Sequence, residues 1–219
     1  MTDWYPFWLS LRVATTATVV AGVLGVSLAY LLAKGRFPGR SLLEAVVTLP
    51  IVLPPTVLGY YLLTLLGVNS SLGRAWERIF GHPLVFTVTA AVVAATISAL
   101  PFCVRTARVA IESVDPTLEA AGRIAGLPEW QVAVQITLPV ARRGIAAGVA
   151  LGFARALGDF GATVMVAGNI PGRTQTLPVA LYDAVQAGDD ATARTGALLL
   201  GAIAIVILLA VNRVARSAP

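Results

Sequence analysis

Arg155 and Asp159 stand four positions apart in AGVALGFARALGDFGATVMVAG, residues 147–168, where almost every other side chain is apolar. That spacing puts a cation and a carboxylate one helical turn apart on one face. There they form a static clamp or, when parted, a polar element on the path of a solute. Glu119 and Arg123 repeat the spacing in LEAAGRIAGLPEWQVAVQITLP, residues 118–139, which is too polar to cross a bilayer and too orderly for a slack loop. A third group is Pro50, Pro54 and Pro55 in TLPIVLPPTVLGYY, each removing a backbone donor. None of these is a bond-making constellation. Cys103 and His82 are the only residues of their types, so no Cys/His metal cluster forms, and no Ser-His-Asp or paired-carboxylate set is present. Lys34 is the only lysine, and no G-x-x-x-x-G-K-[ST] occurs, so the chain has no P-loop to cradle nucleotide phosphates. The expectation is a chain with no catalytic, cofactor-binding or metal residues, whose chemistry is the placement of charge and the shape of backbone.

The elements that position these groups follow from composition. With 57% hydrophobic and 12% charged residues and a mean hydropathy of +0.81, 219 residues cannot hide their apolar surface in one water-soluble core. A span takes about 20 apolar residues, because a helix rises about 1.5 Å per residue through a hydrocarbon core about 30 Å thick. Five segments qualify, at 7–33, 42–66, 83–104, 144–167 and 195–214, and helices are the structures that fit them. The reading is an all-α integral membrane protein of about five transmembrane helices in a single domain over 1–219, with a cytoplasmic loop at 105–143. The start, MTDWYPFWLSLRV, lacks the basic segment and small-residue cleavage site of a secretory signal, so it is expected to be retained.

Charge sets the expected orientation. Lys34, Arg36, Arg40, Arg105, Arg108, Arg123, Arg142, Arg143, Arg213 and Arg216 fall on one side of such a topology, against Arg74, Arg78, Arg173 and Arg194 on the other. Basic residues favour the cytoplasm, which predicts an outside N-terminus, a cytoplasmic C-terminus and an outer loop at 168–193. The net charge of +5 is thus a topology pattern beside apolar spans, and nucleic acid is excluded as a partner. Arg12, beside Trp4, Tyr5 and Trp8, is expected to snorkel to an outer aromatic belt.

Within the spans, the three prolines predict a bend or break in the second helix, either lining a pathway or serving packing. In the fourth, Gly144, Gly148 and Gly152 share a stripe with Arg155 and Asp159 at about 100° per residue. Two charges at a helix centre cost roughly 2.5–3.5 kcal/mol each on insertion scales, which the apolar neighbours barely offset, so this face needs protein or a water-filled cavity opposite it. Between spans, Asp115 and Pro116 predict a helix start, Gly126 a stop, and Leu127-Pro128 the start of a second short helix. Leu118, Ala121, Gly122 and Ala125 share one shallow face of the first helix, suited to close approach by another protein, with an expected Glu119–Arg123 pair on its flank.

The order Glu119-Ala120-Ala121, Gly126, nine residues, Ile136, Leu138-Pro139 resembles the EAA cytoplasmic loop of the membrane subunits of binding-protein-dependent ABC importers. Here four residues, not the usual three, separate the triplet from Gly126. LPIVLPPTVLGYYLL and ARALGDFGATVMVAGNIPGRTQTLPVALY, residues 154–182, extend the resemblance to the molybdate permease subunits, whose relatives handle sulfate and tungstate. It implies a type I ABC importer permease fold in a bacterial or archaeal plasma (inner) membrane. Leu118, Glu119, Ala120, Ala121, Gly122, Ala125, Gly126, Ile136, Leu138 and Pro139 are then a coupling segment that docks on an ATPase. The implied partners are membrane lipid, a second copy of the chain, two cytoplasmic ABC ATPase subunits that bind ATP and Mg, and an external oxyanion-binding protein. Asn169, Arg173 and Thr174 are the expected docking residues for the last, and Pro50, Pro54, Pro55, Arg155 and Asp159 the expected path or gate. The implied function is ATP-driven import of molybdate by alternating access, with tungstate, sulfate or thiosulfate as alternative cargo. From other classes, an ion-driven secondary transporter and a non-transporting membrane scaffold remain open.

Overall fold

The computed structural model describes residues 3–216; Met1, Thr2 and residues 217–219, on which the expected positions of the two termini fall, lie outside the described residues, as does the Arg216 side chain. Among the described residues the ordered elements are all helical: α1 Tyr5–Lys34, α2 Arg40–Val52, α3 Pro55–Leu66, α4 Ser71–Phe80, α5 Val88–Glu112, α6 Pro116–Ile124, α7 Glu129–Val132, a π turn Ala133–Thr137, α8 Leu138–Leu157, α9 Gly161–Ala167, α10 Leu177–Gln186 and α11 Asp190–Arg216. Among the described residues four helices are long and apolar enough to cross a membrane: Tyr5–Lys34, Val88–Glu112, Glu129–Leu157 and Asp190–Val211. The bent pair α2 and α3, counted as one broken span, would make a fifth.

The centre is the close packing of α1, α5 and α8. Their facing residues are small: Ala90, Ala91, Ala94, Ala95 and Ala99 of α5 are wholly buried, as are Ala14, Ala17 and Ala21 of α1. Small residues let helix backbones approach where lipid supplies no hydrophobic drive between helices. Cys103 lies at the three-way contact. A Cβ added to Gly25 would come 2.7 Å from its Cβ, and one added to Gly152 would come 2.6 Å from its Sγ. The glycine stripe of α8 therefore faces α5. Two core layers result. One gathers the N-terminal half of α1, the first half of α5, the end of α8, α3 and α9, and the other gathers the C-terminal half of α1, the end of α5, Val47 of α2 and Ala141 of α8. At the second layer Arg108 of α5 bonds Glu44 of α2 at 2.6 Å and Glu112 at 2.7 Å.

Two helices depart from the spans expected of them, and the second breaks where its prolines predict. There α2 ends at Val52, Leu53 and Pro54 follow, Pro55 opens α3, and the chain bends by 118° between the two halves. The third starts five residues late and runs on to Glu112, because Pro83 to Phe86 form a turn and Thr87 caps the helix through Ala90 N–H at 3.2 Å. The fourth is not one helix to residue 167. It stops at Leu157, and Gly158, Asp159 and Phe160 separate it from α9. The sequence GDFG carries turn-forming residues at this point, and they outweigh the apolar run around them.

Candidate functional site

The two helix breaks face each other. Gly161 sits against Pro55, where a Cβ would come 2.8 Å from the proline Cβ, and Gly59 of α3 sits equally close to Met165 of α9. Between the breaks lies a cavity of about 540 Å³, lined by Pro50, Leu53, Pro55 and Thr56 from one break, Arg155, Asp159, Phe160 and Gly161 from the other, and Phe102 from α5. Of the five residues expected on a path, Pro50, Pro55, Arg155 and Asp159 line this space, and Pro54 does not.

Asp159 is 2% exposed. Its Oδ1 accepts from Arg155 Nη1 at 2.9 Å and from Ser98 Oγ at 3.0 Å, while Oδ2 accepts from Thr163 N–H at 3.0 Å and Thr163 Oγ1 at 2.6 Å. A carboxylate with four donors is saturated and fixed, and it ties the end of α8 to α5 and α9. The Arg155 side chain is 26% exposed. Its guanidinium offers five N–H donors in a fork suited to oxyanions, and a single carboxylate oxygen cannot take them all. Thr56, Phe102, Ser98 and Thr163 were not anticipated. Ser98 is a polar residue within an apolar run and Thr163 lies four positions after Asp159, so each left a faint signal.

In the 105–143 segment, α6 begins as its sequence dictates. Asp115 accepts from Thr117 N–H at 2.8 Å, a bond that holds the Asp115 pKa below its ordinary value, and Pro116 occupies the first turn. Gly126, at φ +87°, ends it, and Leu127 N–H returns to Gly122 O at 3.1 Å. Leu118, Ala120, Ala121, Ala125 and Gly126 are exposed, whereas Glu119 and Gly122 point inward. A Cβ on Gly122 would come 2.5 Å from Ile136 Cδ1, so the glycine seats α6 against the π turn and belongs to the buried side of the expected face. Ile136 and Leu138 are half-buried and Pro139 is exposed. The outward surface also includes Ile124 and Trp130, 88% and 65% exposed, which the small-residue pattern did not single out.

The flanking pair is also rearranged. Arg123 bonds Glu129 of α7 through Nε at 2.6 Å and Nη2 at 3.2 Å, and stands 3.8 Å from Glu119. Glu119 instead meets Lys34 Nζ at 2.8 Å and Thr137 Oγ1 at 2.7 Å. Burial pushes the Glu119 pKa up, but the bonds from Lys34 and Thr137 and the charges of Lys34 and Arg123 outweigh it, and the net pKa is held below the ordinary value.

The 168–176 loop is cross-braced. Asn169 Nδ2 donates to both Asp183 oxygens at 2.8 and 2.7 Å, Gln175 Nε2 donates to Asp183 Oδ2 at 2.8 Å, and Tyr5 Oη donates to Arg173 O at 3.0 Å. Asn169 and Arg173 are exposed. Thr174 is 2% exposed, and its Oγ1 accepts from Ile170 N–H, so it braces the loop and is not presented to a docking partner as expected.

A family profile described as the binding-protein-dependent transport system inner membrane component matches residues 21–217. The chain belongs to that family. Two relatives are the molybdenum transport system permease proteins ModB of Escherichia coli (strain K12), 40% identical over 98% of this chain and 94% of the relative, and of Haemophilus influenzae, 40% identical over 91% and 87%. A chain of the MetNI methionine ABC transporter in an inward-facing conformation superposes with a TM-score of 0.74 at 20% identity, covering 97% of this chain and 94% of that one. The fold is therefore that of the type I ABC importer permeases. Family membership makes the chain a membrane component of a transport system. It also sets aside the ion-driven carrier and the non-transporting scaffold.

Proposed function

We propose that this chain is the membrane subunit of an ATP-driven importer of molybdate. The cargo reading is supported by the two molybdenum-system relatives, which match nearly the whole chain. The path reading rests on one observation: the cavity between the two helix breaks holds Arg155 beside a carboxylate already saturated by other donors. Asp159 holds the arginine in place without needing it as sole partner, and Pro55 and Thr56 turn the positive end of the α3 dipole toward the same space. A tetrahedral dianion passing the breaks would meet these groups in turn. Two copies side by side would enclose the path within membrane lipid. The exposed face of Leu118, Ala121, Ile124, Ala125 and Trp130 would dock on a separate ATPase that holds ATP and Mg, and Asn169 and Arg173 would meet an external oxyanion-binding protein. The basic residues flanking α1, α5 and α8 support a cytoplasmic 105–143 segment and C-terminus and an outside N-terminus. ATP binding would turn the path outward and hydrolysis would return it inward, with no covalent chemistry in this chain.

The test is uptake in proteoliposomes containing this chain, its ATPase and its binding protein, with molybdate, tungstate and sulfate compared. ATP-dependent uptake favouring molybdate is expected, and sulfate uptake without molybdate uptake would overturn the cargo reading. In the same assay Arg155→Leu is expected to lose uptake by about tenfold or more, the scale of one charge-assisted contact, with complex assembly retained. Arg155→Leu transporting normally would remove the arginine from the path.

A further inference from the structure

Glu119 lies where three elements meet. Lys34, in the last turn of α1, reaches it with Nζ 2.8 Å from Oε1 and 3.0 Å from Oε2. Thr137, the last residue of the π turn and wholly buried, donates to Oε1 at 2.7 Å. Glu119 itself is a residue of α6 and 5% exposed. Beyond Thr137 the chain continues into α8, whose far end carries Arg155 and the 158–160 break. One carboxylate thus connects the end of α1, the short helix α6 and the foot of the helix that lines the cavity. An ion pair withdrawn from water is weak support for stability, because desolvation offsets most of its attraction, and an apolar trio of the same volume would hold the fold as well. What a three-way ionic junction supplies is a single geometry, set by short directional bonds.

We propose that Glu119 is a positioning residue that pins α6 to α1 and α8 through Lys34 and Thr137, so that displacement of α6 by the ATPase turns both membrane helices together. The inference rests on reading the 105–143 segment as the ATPase-facing side. It assigns Glu119 an internal role, distinct from the exposed residues of α6 that touch the partner. Lys34→Met cuts the tie to α1 and leaves α6 and its outward face in place. Lys34→Arg preserves the charge and the reach.

The experiment uses the full complex in proteoliposomes, with assembly followed by size-exclusion chromatography and molybdate taken up per ATP hydrolysed as the readout. Lys34→Met is expected to assemble and to hydrolyse ATP, with uptake per ATP lowered about tenfold, the order of a single coupling free energy. Lys34→Arg should restore the ratio, and the exchange Lys34→Glu with Glu119→Lys should restore part of it. An assembled Lys34→Met complex with a wild-type ratio overturns the proposal. So does failure of both Lys34→Met and the exchange variant to assemble, since the junction would then only hold the fold. If the wild-type complex shows no ATP-driven molybdate uptake, the functional reading fails first and this inference with it.

Discussion

Two ion pairs with buried acids, Lys34–Glu119 and Arg155–Asp159, match in burial and differ in reach. Lys34–Glu119 has side chains 27% and 6% exposed, and Arg155–Asp159 has 26% and 1%. In both, a half-open base meets a closed acid that also accepts from hydroxyls, Thr137 in one case and Ser98 and Thr163 in the other. Yet the first pair joins residues 85 positions apart, and the second joins residues four apart across a helix end. The long-range pair fixes separate helices relative to each other. The local pair fixes its own backbone break and leaves its cation at the edge of a cavity. Similar charge chemistry therefore links separate helices in one place and forms part of a cavity wall in the other, and sequence separation distinguishes them.

The largest expected effect that tests this contrast is Asp159→Ala. It removes four accepted bonds and leaves the Arg155 charge unpaired among apolar helices, a loss of about 3–5 kcal/mol. Thermal unfolding of the detergent-solubilised chain should drop steeply, and Arg155→Leu added to it should recover part of the loss. Lys34→Met should cost less, about 1–2 kcal/mol, because it removes one partner and leaves the Glu119 carboxylate accepting from Thr137. If the two variants unfold together, the contrast in bonding is lost. Thr137→Val and Ser98→Ala each delete one donor and should cost about 1 kcal/mol apiece. The smallest effect is in pH. The Glu119 pKa is held below its ordinary 4.5, so the pair's contribution is in place above that value and is lost as pH falls beneath it. The stability gap between wild type and Lys34→Met should be flat from about pH 5.5 to 8 and close in more acid solution.

Local signals in the sequence correspond to local features of the structure. Asp115-Pro116 opens α6 and Gly126 closes it because capping involves neighbours only. Pro54-Pro55 marks the break before α3 for the same reason. The Arg155–Asp159 contact forms although the helix carrying it ends between the two residues, since Arg155 still lies in the last turn of α8. Long apolar runs announced the helical class. What remained hidden depends on separation. Nothing in the neighbourhood of Glu119 signals that its partner is Lys34, and Arg123 at the favourable spacing was the natural expectation until Glu129 proved nearer. Gly122 looked like part of an outward face because small residues suit both a docking surface and a buried contact, and the packing of Ile136 decides between them. Phe86, at φ +60° with its N–H bonded to Val166 O at 2.7 Å, sets the late start of α5 through a contact 80 positions along the chain.

The π turn Ala133–Thr137 acts on all of this as a phase shift. It takes up one residue more than an α turn, and each α-helical residue advances the helix by about 100°. Deleting any one residue of 133–137 would leave hydropathy and length almost unchanged. If the α ladder closed over the gap, everything before it would swing by about 100° relative to α8. Trp130 and Glu129 would then face a different quarter of the bundle. The angular relation between the short helices α6 and α7 and the cavity-lining helix is thus encoded in a single surplus residue.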